Sequence, residues 1–307
     1  MPFGDSYRKQ AALLMRVLPI VAEEKDFALK GGTAINLFIR DMPRLSVDID
    51  LTYLPIQARA ESLAAIDAAL KRIAARIRAA LAGATVTENK LEGRVTKLLV
   101  RADGVQIKIE VTPVLRGCVY DPELRQVSET VEENFGFAEI KVVSFADLYA
   151  GKIVAALDRQ HPRDLFDVRD LLASEGIDDA LRRAFVVYML SHDRPMSEVL
   201  EPTRLDISPE FKRGFDGMTD KPVTIKELVA AREALIADIV GKMPSDHRKF
   251  LISFERGEPD WSLLGLKGVA ELPAVKWRQL NLDKLTAAKR GALVARLEEV
   301  LAISASC

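Results

Sequence analysis

Phe27-Ala-Leu-Lys-Gly-Gly-Thr-Ala-Ile-Asn-Leu-Phe38, followed shortly by Arg44-Leu-Ser-Val-Asp-Ile-Asp-Leu51, is the stretch whose reading decides the fold. Phe27–Lys30 is a short apolar strand. It runs into the turn Gly31-Gly32, a helix over Thr33–Arg40 and a second strand over Val47–Tyr53. In that strand Val47, Ile49 and Leu51 alternate with Asp48, Asp50 and Thr52. Strand side chains alternate between faces, so the spacing predicts both carboxylates on one side. Neighbouring carboxylates repel unless a cation lies between them. Magnesium is the usual cation, held by carboxylates together with substrate phosphates. Paired glycines let a backbone come close to phosphate, and the N–H groups opening a helix favour an anion.

Outward from this stretch, residues 5–24 repeat Leu13, Leu14, Val17, Leu18 and Val21 at helical spacing. A long Ala-rich helix is expected over 57–82. Strands over about 93–102 and 105–112 flank Ala102-Asp103-Gly104, and an Asp-Gly pair between apolar runs predicts a hairpin. In the later strand Ile107, Ile109 and Val111 alternate with Lys108, Glu110 and Thr112. If it neighbours the Asp-x-Asp strand, Glu110 joins Asp48 and Asp50. The plainer reading of these residues is a solvated, charged sheet face. The segment 113–140, with Pro113, Gly117, Pro122 and Gly136, reads as an irregular connection.

From Ser144 the pattern is helical. Ser144-Phe-Ala-Asp147 opens a helix like a capping box, with Asp in place of Glu or Gln. It runs to about Arg159, where His161-Pro162 breaks it. Helices are expected over 163–174, 177–190, 208–215, 224–241, 244–256 and 282–302. The fold class is therefore α+β. An α/β-type core with a small mixed sheet occupies residues 1–140, and a helical part occupies residues 141–307.

The helical part carries a second cluster. Lys152 and Arg159 share one side of the first helix, and Asp164 and Asp167 are three apart on the next. A short connection through Pro162 makes these helices an antiparallel pair, so Lys152 and Asp167 can face each other. Two readings stand: a phosphate-binding Lys152 with Asp167 as its orienting partner or a general base, or a salt-bridged helical hairpin.

Bulk properties narrow the classes. Among 307 residues the net charge is −1, so no global field attracts nucleic acid, and a local patch would have to do so. Arg40, Arg44, Arg94, Lys97, Arg101 and Lys108 could form one, but interleaved acids also suit an ordinary mixed surface. Two cysteines and three histidines exclude a disulfide framework and disfavour zinc. The polar N-terminus and the absence of a long apolar run predict a soluble, cytoplasmic protein with no membrane partner. Trp261 and Trp277 read as packing anchors. His192 has no Gly-x-Ser-x-Gly elbow beside it. The Gly-Gly turn does not match a P-loop.

Taken together, Lys-Gly-Gly-Thr-Ala, Arg-x-Ser-x-Asp-Ile-Asp-Leu, Ile-Glu-Val, Lys-x-x-Ala and Arg-Asp-Leu-Phe-Asp resemble the AbiEii/AbiGii toxin family. These are nucleotidyltransferases of the DNA-polymerase-β-like superfamily. The resemblance covers residues 27–172, and Leu-Pro-Ala-Val-Lys-Trp-Arg-Gln-Leu-Asn-Leu near the end is similar to family tails. It implies a nucleotide-binding set of Gly31, Gly32, Thr33, Arg44, Ser46 and Lys152. Some relatives carry a Ser or Thr at the Ser46 position that is silenced by phosphorylation. The implied metal set is Asp48, Asp50 and Glu110, with Mg2+ or Mn2+ as cofactor. Asp48, Lys152 and Asp167 are the implied catalytic residues. The implied substrate is a nucleoside triphosphate (NTP), the implied acceptor is the 3′ end of tRNA, and the implied partner is an antitoxin. The outcome would be blocked translation, in a toxin–antitoxin pair or a phage-defence element. A nucleotidyltransferase acting on small molecules of the antibiotic type and a non-catalytic binding protein are the alternatives.

Overall fold

The computed structural model describes residues 4–303. Two compact units are present. One runs to Ser144 and takes in Asp216–Pro222, and the other comprises Phe145–Phe215 and the chain from Val223 onward.

The first unit begins with helix α1 (Asp5–Ala22) and strand β1 (Phe27–Lys30). The glycine turn opens a helix directly: α2 (Gly31–Ala34) continues as a π-helical turn over Ile35–Ile39. Then come β2 (Asp48–Tyr53), α3 (Arg59–Ala80), β3 (Thr85–Leu91), β4 (Arg94–Ala102) and β5 (Val105–Val111). The unit closes with β6 (Glu123–Gln126), α4 (Glu129–Phe135) and β7 (Glu139–Val142).

All seven strands form one mixed sheet in the order β3-β4-β5-β2-β1-β7-β6. The pairs β2/β5 and β1/β7 are parallel and the others antiparallel. The expected hairpin between β4 and β5 is present: Asp103 and Gly104 both have positive φ, as a two-residue type I′ turn requires.

Period-two patterning splits this sheet into a buried face and a charged face. Ile49, Leu51, Leu98, Val100, Ile107 and Ile109 are no more than 2% exposed. Helices α1 and α3 touch each other, α1 packing on β5 and α3 on β4. Each fully buried side chain of this kind contributes about 1.5–3 kcal/mol. The intervening residues Asp48, Asp50, Lys108 and Glu110 are thereby fixed on the other face.

Several expectations needed correction. The segment 113–140 is not an irregular connection. It holds β6, α4 and the start of β7, and β7 extends the sheet beside β1, with Leu29 opposite Val142 and the Val143 N–H donating to the Leu29 carbonyl at 3.0 Å. Its glycines and prolines lie between these short elements rather than replacing them. Strand β3 was not foreseen either. Most of its residues are exposed at the sheet edge, so it lacks the apolar run that marks a strand.

The second unit is helical: α5 (Phe145–Asp158), α6 (Pro162–Ser174), α7 (Asp179–Leu190), α8 (Met196–Leu200), α9 (Ser208–Gly214), α10 (Ile225–Ile236) and α11 (Ser245–Arg256). The helix expected over 224–241 is α10 followed by a π-helical turn at Ala237–Gly241. The helix expected over 282–302 is present as α13 (Ala287–Ile303), and a further helix, α12 (Pro273–Asp283), precedes it. Helix α5 packs on α6 and α7, α6 on α10, and α11 on α13. Trp261 anchors packing as expected, its ring centroid 5.0 Å from that of Phe250. Trp277 does not: it is 47% exposed on α12. Among the described residues no helix is long and apolar enough to cross a membrane.

Candidate active site

The glycine turn is built onto the Asp-x-Asp strand. Lys30 and Asp50 are paired residues of β1 and β2, so Gly31 leaves the sheet beside Asp50. Gly31 has φ +75°, and a Cβ there would lie 2.7 Å from Asp50 Oδ2. A Cβ on Gly32 would meet Arg44 Nη2 at 2.8 Å and Ser46 Oγ at 3.1 Å. The Thr33 hydroxyl donates to the Asp48 carbonyl and lies 2.9 Å from Ser46 Oγ. The Asn36 side-chain amide donates to the Gly32 carbonyl at 2.9 Å. Six sequence-predicted residues, Gly31, Gly32, Thr33, Arg44, Ser46 and Asp50, are thus brought together.

Arg44 is buried, and its segment is steadied by the returning chain: the Leu45 N–H donates to the Met218 carbonyl, and the Asp220 N–H to the Pro43 carbonyl, both at 3.0 Å. Sequence patterning carries no signal for that return.

Glu110 lies where the alternation put it. Strand β5 runs parallel to β2 with Glu110 opposite Asp50 and Lys108 opposite Asp48. On its other side Glu110 is opposite Lys97 of β4. Lys108 Nζ is 2.9 Å from Glu110 Oε2 and 3.7 Å from Asp48 Oδ2, and Lys97 Nζ is 3.0 Å from Glu110 Oε1. The side chains of Asp48, Glu110 and Lys108 are 37%, 34% and 31% exposed, so solvent ions reach them.

The electrostatics follow from these neighbours. Burial pushes the Asp50 carboxyl up, Lys108 pulls it down, and the Asp48 charge adds repulsion. Burial would raise Glu110 too, but hydrogen bonds from Lys108 and Lys97 outweigh it and hold its carboxyl below the ordinary range. For Lys108, burial acts to lower the pKa, yet the Glu110 hydrogen bond and the Asp48 and Asp50 charges leave it raised. Lys30, which donates to Thr112 Oγ1 at 3.1 Å, is pushed down by burial against the opposing pull of Asp50. Sequence reasoning missed Lys30 altogether and left Lys108 among flanking charges. Their roles depend on cross-strand pairing, which no local pattern reports.

The donor set suits a divalent cation. Asp48 and Asp50 carry carboxylate oxygens of the kind hard cations take, two residues apart on β2. The Lys108 ammonium, placed between Asp48 and Glu110, already stands where a positive charge is wanted. Among the described residues no group of three or more Asp, Glu, His or Cys forms a ready-made metal cage, and both Glu110 oxygens are engaged by lysines.

In the second unit Lys152 on α5 faces α6, as the spacing predicted. Its Nζ lies 2.7 Å from Asp164 Oδ1 and 3.0 Å from Asp167 Oδ2. Lys152 is 7% exposed and both aspartates 1%, so this is a buried cluster rather than a surface pair. Asp164, not assigned a role from sequence, also accepts from Arg159 Nε at 2.6 Å. Burial would raise its carboxyl, but Lys152 and Arg159 together hold it well below the ordinary range. His161 caps α6, its Nδ1 accepting from the Arg163 N–H at 3.1 Å. His192 stands 3.4 Å from Asp158 Oδ2 on the same unit and has no nucleophile assigned to it.

A glycine turn seated against a strand-borne aspartate pair in a mixed sheet defines a nucleotidyltransferase core. The chain belongs to the nucleotidyl transferase AbiEii toxin family of type IV toxin–antitoxin systems, whose family model matches residues 12–278. Its fold is similar to that of MenT4, a nucleotidyltransferase toxin of Mycobacterium tuberculosis H37Rv. That likeness has a TM-score of 0.53 at 19% identity and covers 97% of this chain and 93% of the other. No curated protein matches.

Proposed function

We propose that this nucleotidyltransferase toxin moves a nucleotide from a nucleoside triphosphate to the 3′ end of tRNA and so blocks translation. The observation that carries the reading is that Gly31 leaves the sheet beside Asp50, with no room for a Cβ between it and the carboxylate, which sets a phosphate-suited turn against the acidic pair.

The turn N–H groups, Thr33, Arg44 and Ser46 hold the phosphates. Asp48 and Asp50 hold a divalent cation, Mg2+ or Mn2+, with Glu110 as a third carboxylate. Such an ion supplies charge neutralisation at the phosphates and a more acidic acceptor hydroxyl. The acceptor hydroxyl oxygen bonds to the α-phosphorus, the bond from that phosphorus to the β-phosphate bridging oxygen breaks, and pyrophosphate leaves. In this reading the hydroxyl proton passes to the Asp48 carboxylate. Lys152, held in the second unit by Asp164 and Asp167, keeps the phosphate-binding task that the family resemblance implies. As a type IV toxin, the protein has an antitoxin as its restraining partner.

Incubation with α-labelled triphosphates and total tRNA tests this. Label at the tRNA 3′ end supports the reading. Label only on small acceptors replaces it with a small-molecule nucleotidyltransferase, and no label on either refutes transfer.

A further inference from the structure

The register aligns Lys30, Asp50, Glu110 and Lys97 in one row across β1, β2, β5 and β4. One step along the strands, Asp48 stands beside Lys108. Three carboxylates and three ammonium groups therefore share this patch, and their formal charges cancel. The three lysines are not equivalent. Lys30 is pinned to Thr112, and Lys97 bridges to Glu110. Lys108 alone of the three reaches carboxylates on both β2 and β5, at 3.7 Å and 2.9 Å.

A magnesium ion needs its oxygen ligands at about 2.0–2.1 Å. Asp48 and Glu110 cannot close on such an ion while the Lys108 ammonium stands between them, and the ion would be repelled by that charge. A nucleoside triphosphate changes the balance. It brings more negative charge than one divalent ion cancels, and so offers Lys108 another place to go.

We propose that Lys108 is a tethered counter-ion that holds the cation position of the resting site. It yields that position when the ion arrives with a triphosphate, moving its ammonium onto the phosphate oxygens. This rests on the reading of Asp48 and Asp50 as cation ligands. Metal and nucleotide then bind as a unit. Free metal binds weakly, because the carboxylates it would use are already neutralised. Glu110 has two successive tasks, holding Lys108 and then facing the ion.

Titration of the full chain with Mn2+, read by loss of the free-ion electron paramagnetic resonance signal, tests this without any turnover. The measurement is made with and without α,β-methylene triphosphate analogues of the four ribonucleosides, each in turn, and the Mn2+ bound by each analogue without protein is measured and subtracted. Wild type is expected to take up Mn2+ at least about tenfold more tightly with one of the analogues than without any. Lys108→Met removes a positive charge beside the ion and is expected to tighten analogue-free uptake by at least about tenfold. Adding Asp48→Asn to Lys108→Met should abolish that gain. A folded Lys108→Met protein with unchanged or weaker analogue-free uptake overturns the proposal while leaving the metal site standing. If Lys108→Met fails to fold, Lys108→Gln and the wild-type comparison decide, and equal wild-type affinities with and without analogue overturn it. Absence of Mn2+ uptake by wild type even with every analogue overturns the metal reading itself, and this inference with it.

Discussion

At Gly31 the backbone has φ +75° and there is no room for a side chain, because a Cβ would press on Asp50 Oδ2. An L-residue in that conformation costs about 1–2 kcal/mol before any clash. Gly32 differs. Its Cβ would meet the far end of the Arg44 side chain, which can shift, and the Ser46 hydroxyl. Gly31→Ala should therefore lower the melting temperature and displace Asp50. Gly32→Ala should melt within about 1 kcal/mol of wild type yet bind nucleotide more weakly, because Arg44 and Ser46 move. Thermal melts paired with nucleotide calorimetry separate the two. Equal effects on both readouts would mean that the turn has only a structural task. Lys30, one residue earlier, shows how a strand end feeds the site: its backbone finishes β1 while its side chain adds positive charge beside Asp50.

At the scale of elements, β2 and β5 deliver three acids by register, while α5 and α6 bury an ion cluster between them. Removing one partner from a buried pair leaves an uncompensated charge and costs about 3–5 kcal/mol. Asp164→Asn should therefore destabilise the protein strongly at neutral pH. The Asp164 carboxyl is held below its ordinary 3.8 in the folded protein. Its contribution is thus complete above that value and is lost as pH falls below it toward the folded-state pKa. Chemical denaturation of wild type and Asp164→Asn at pH 7 and near pH 3 checks this. The gap should narrow at low pH, and a constant gap would show that Asp164 acts by packing alone. The elements readable in advance were those with internal periodicity. Asp48, Asp50 and Glu110 followed from alternation in β2 and β5, and Lys152 with Asp167 from helical spacing. The elements not readable were β7 and β6, four residues each, which exist because β1 and then β7 offer an edge. Edge strand β3, with its charged tail, gave no apolar signal. The row of Lys30, Asp50, Glu110 and Lys97 joins residues far apart in sequence, so only the sheet order reveals it.

Across the whole molecule, the sequence resemblance spans both units, and the family match over residues 12–278 does too. The glycine turn and acidic strand lie in one unit and the Lys152 cluster in the other. The account makes the protein a transferase of nucleotides, with Asp48 indispensable. The most direct test gives wild type and Asp48→Ala the same triphosphate in two forms, labelled at the α- or at the γ-phosphorus, with tRNA as acceptor. The account predicts that wild type places α-label on the RNA and releases γ-label as pyrophosphate, and that Asp48→Ala loses at least about a thousandfold of that rate, roughly 4 kcal/mol of transition-state stabilisation. Transfer of γ-label to the acceptor, or an Asp48→Ala protein as active as wild type, would contradict it.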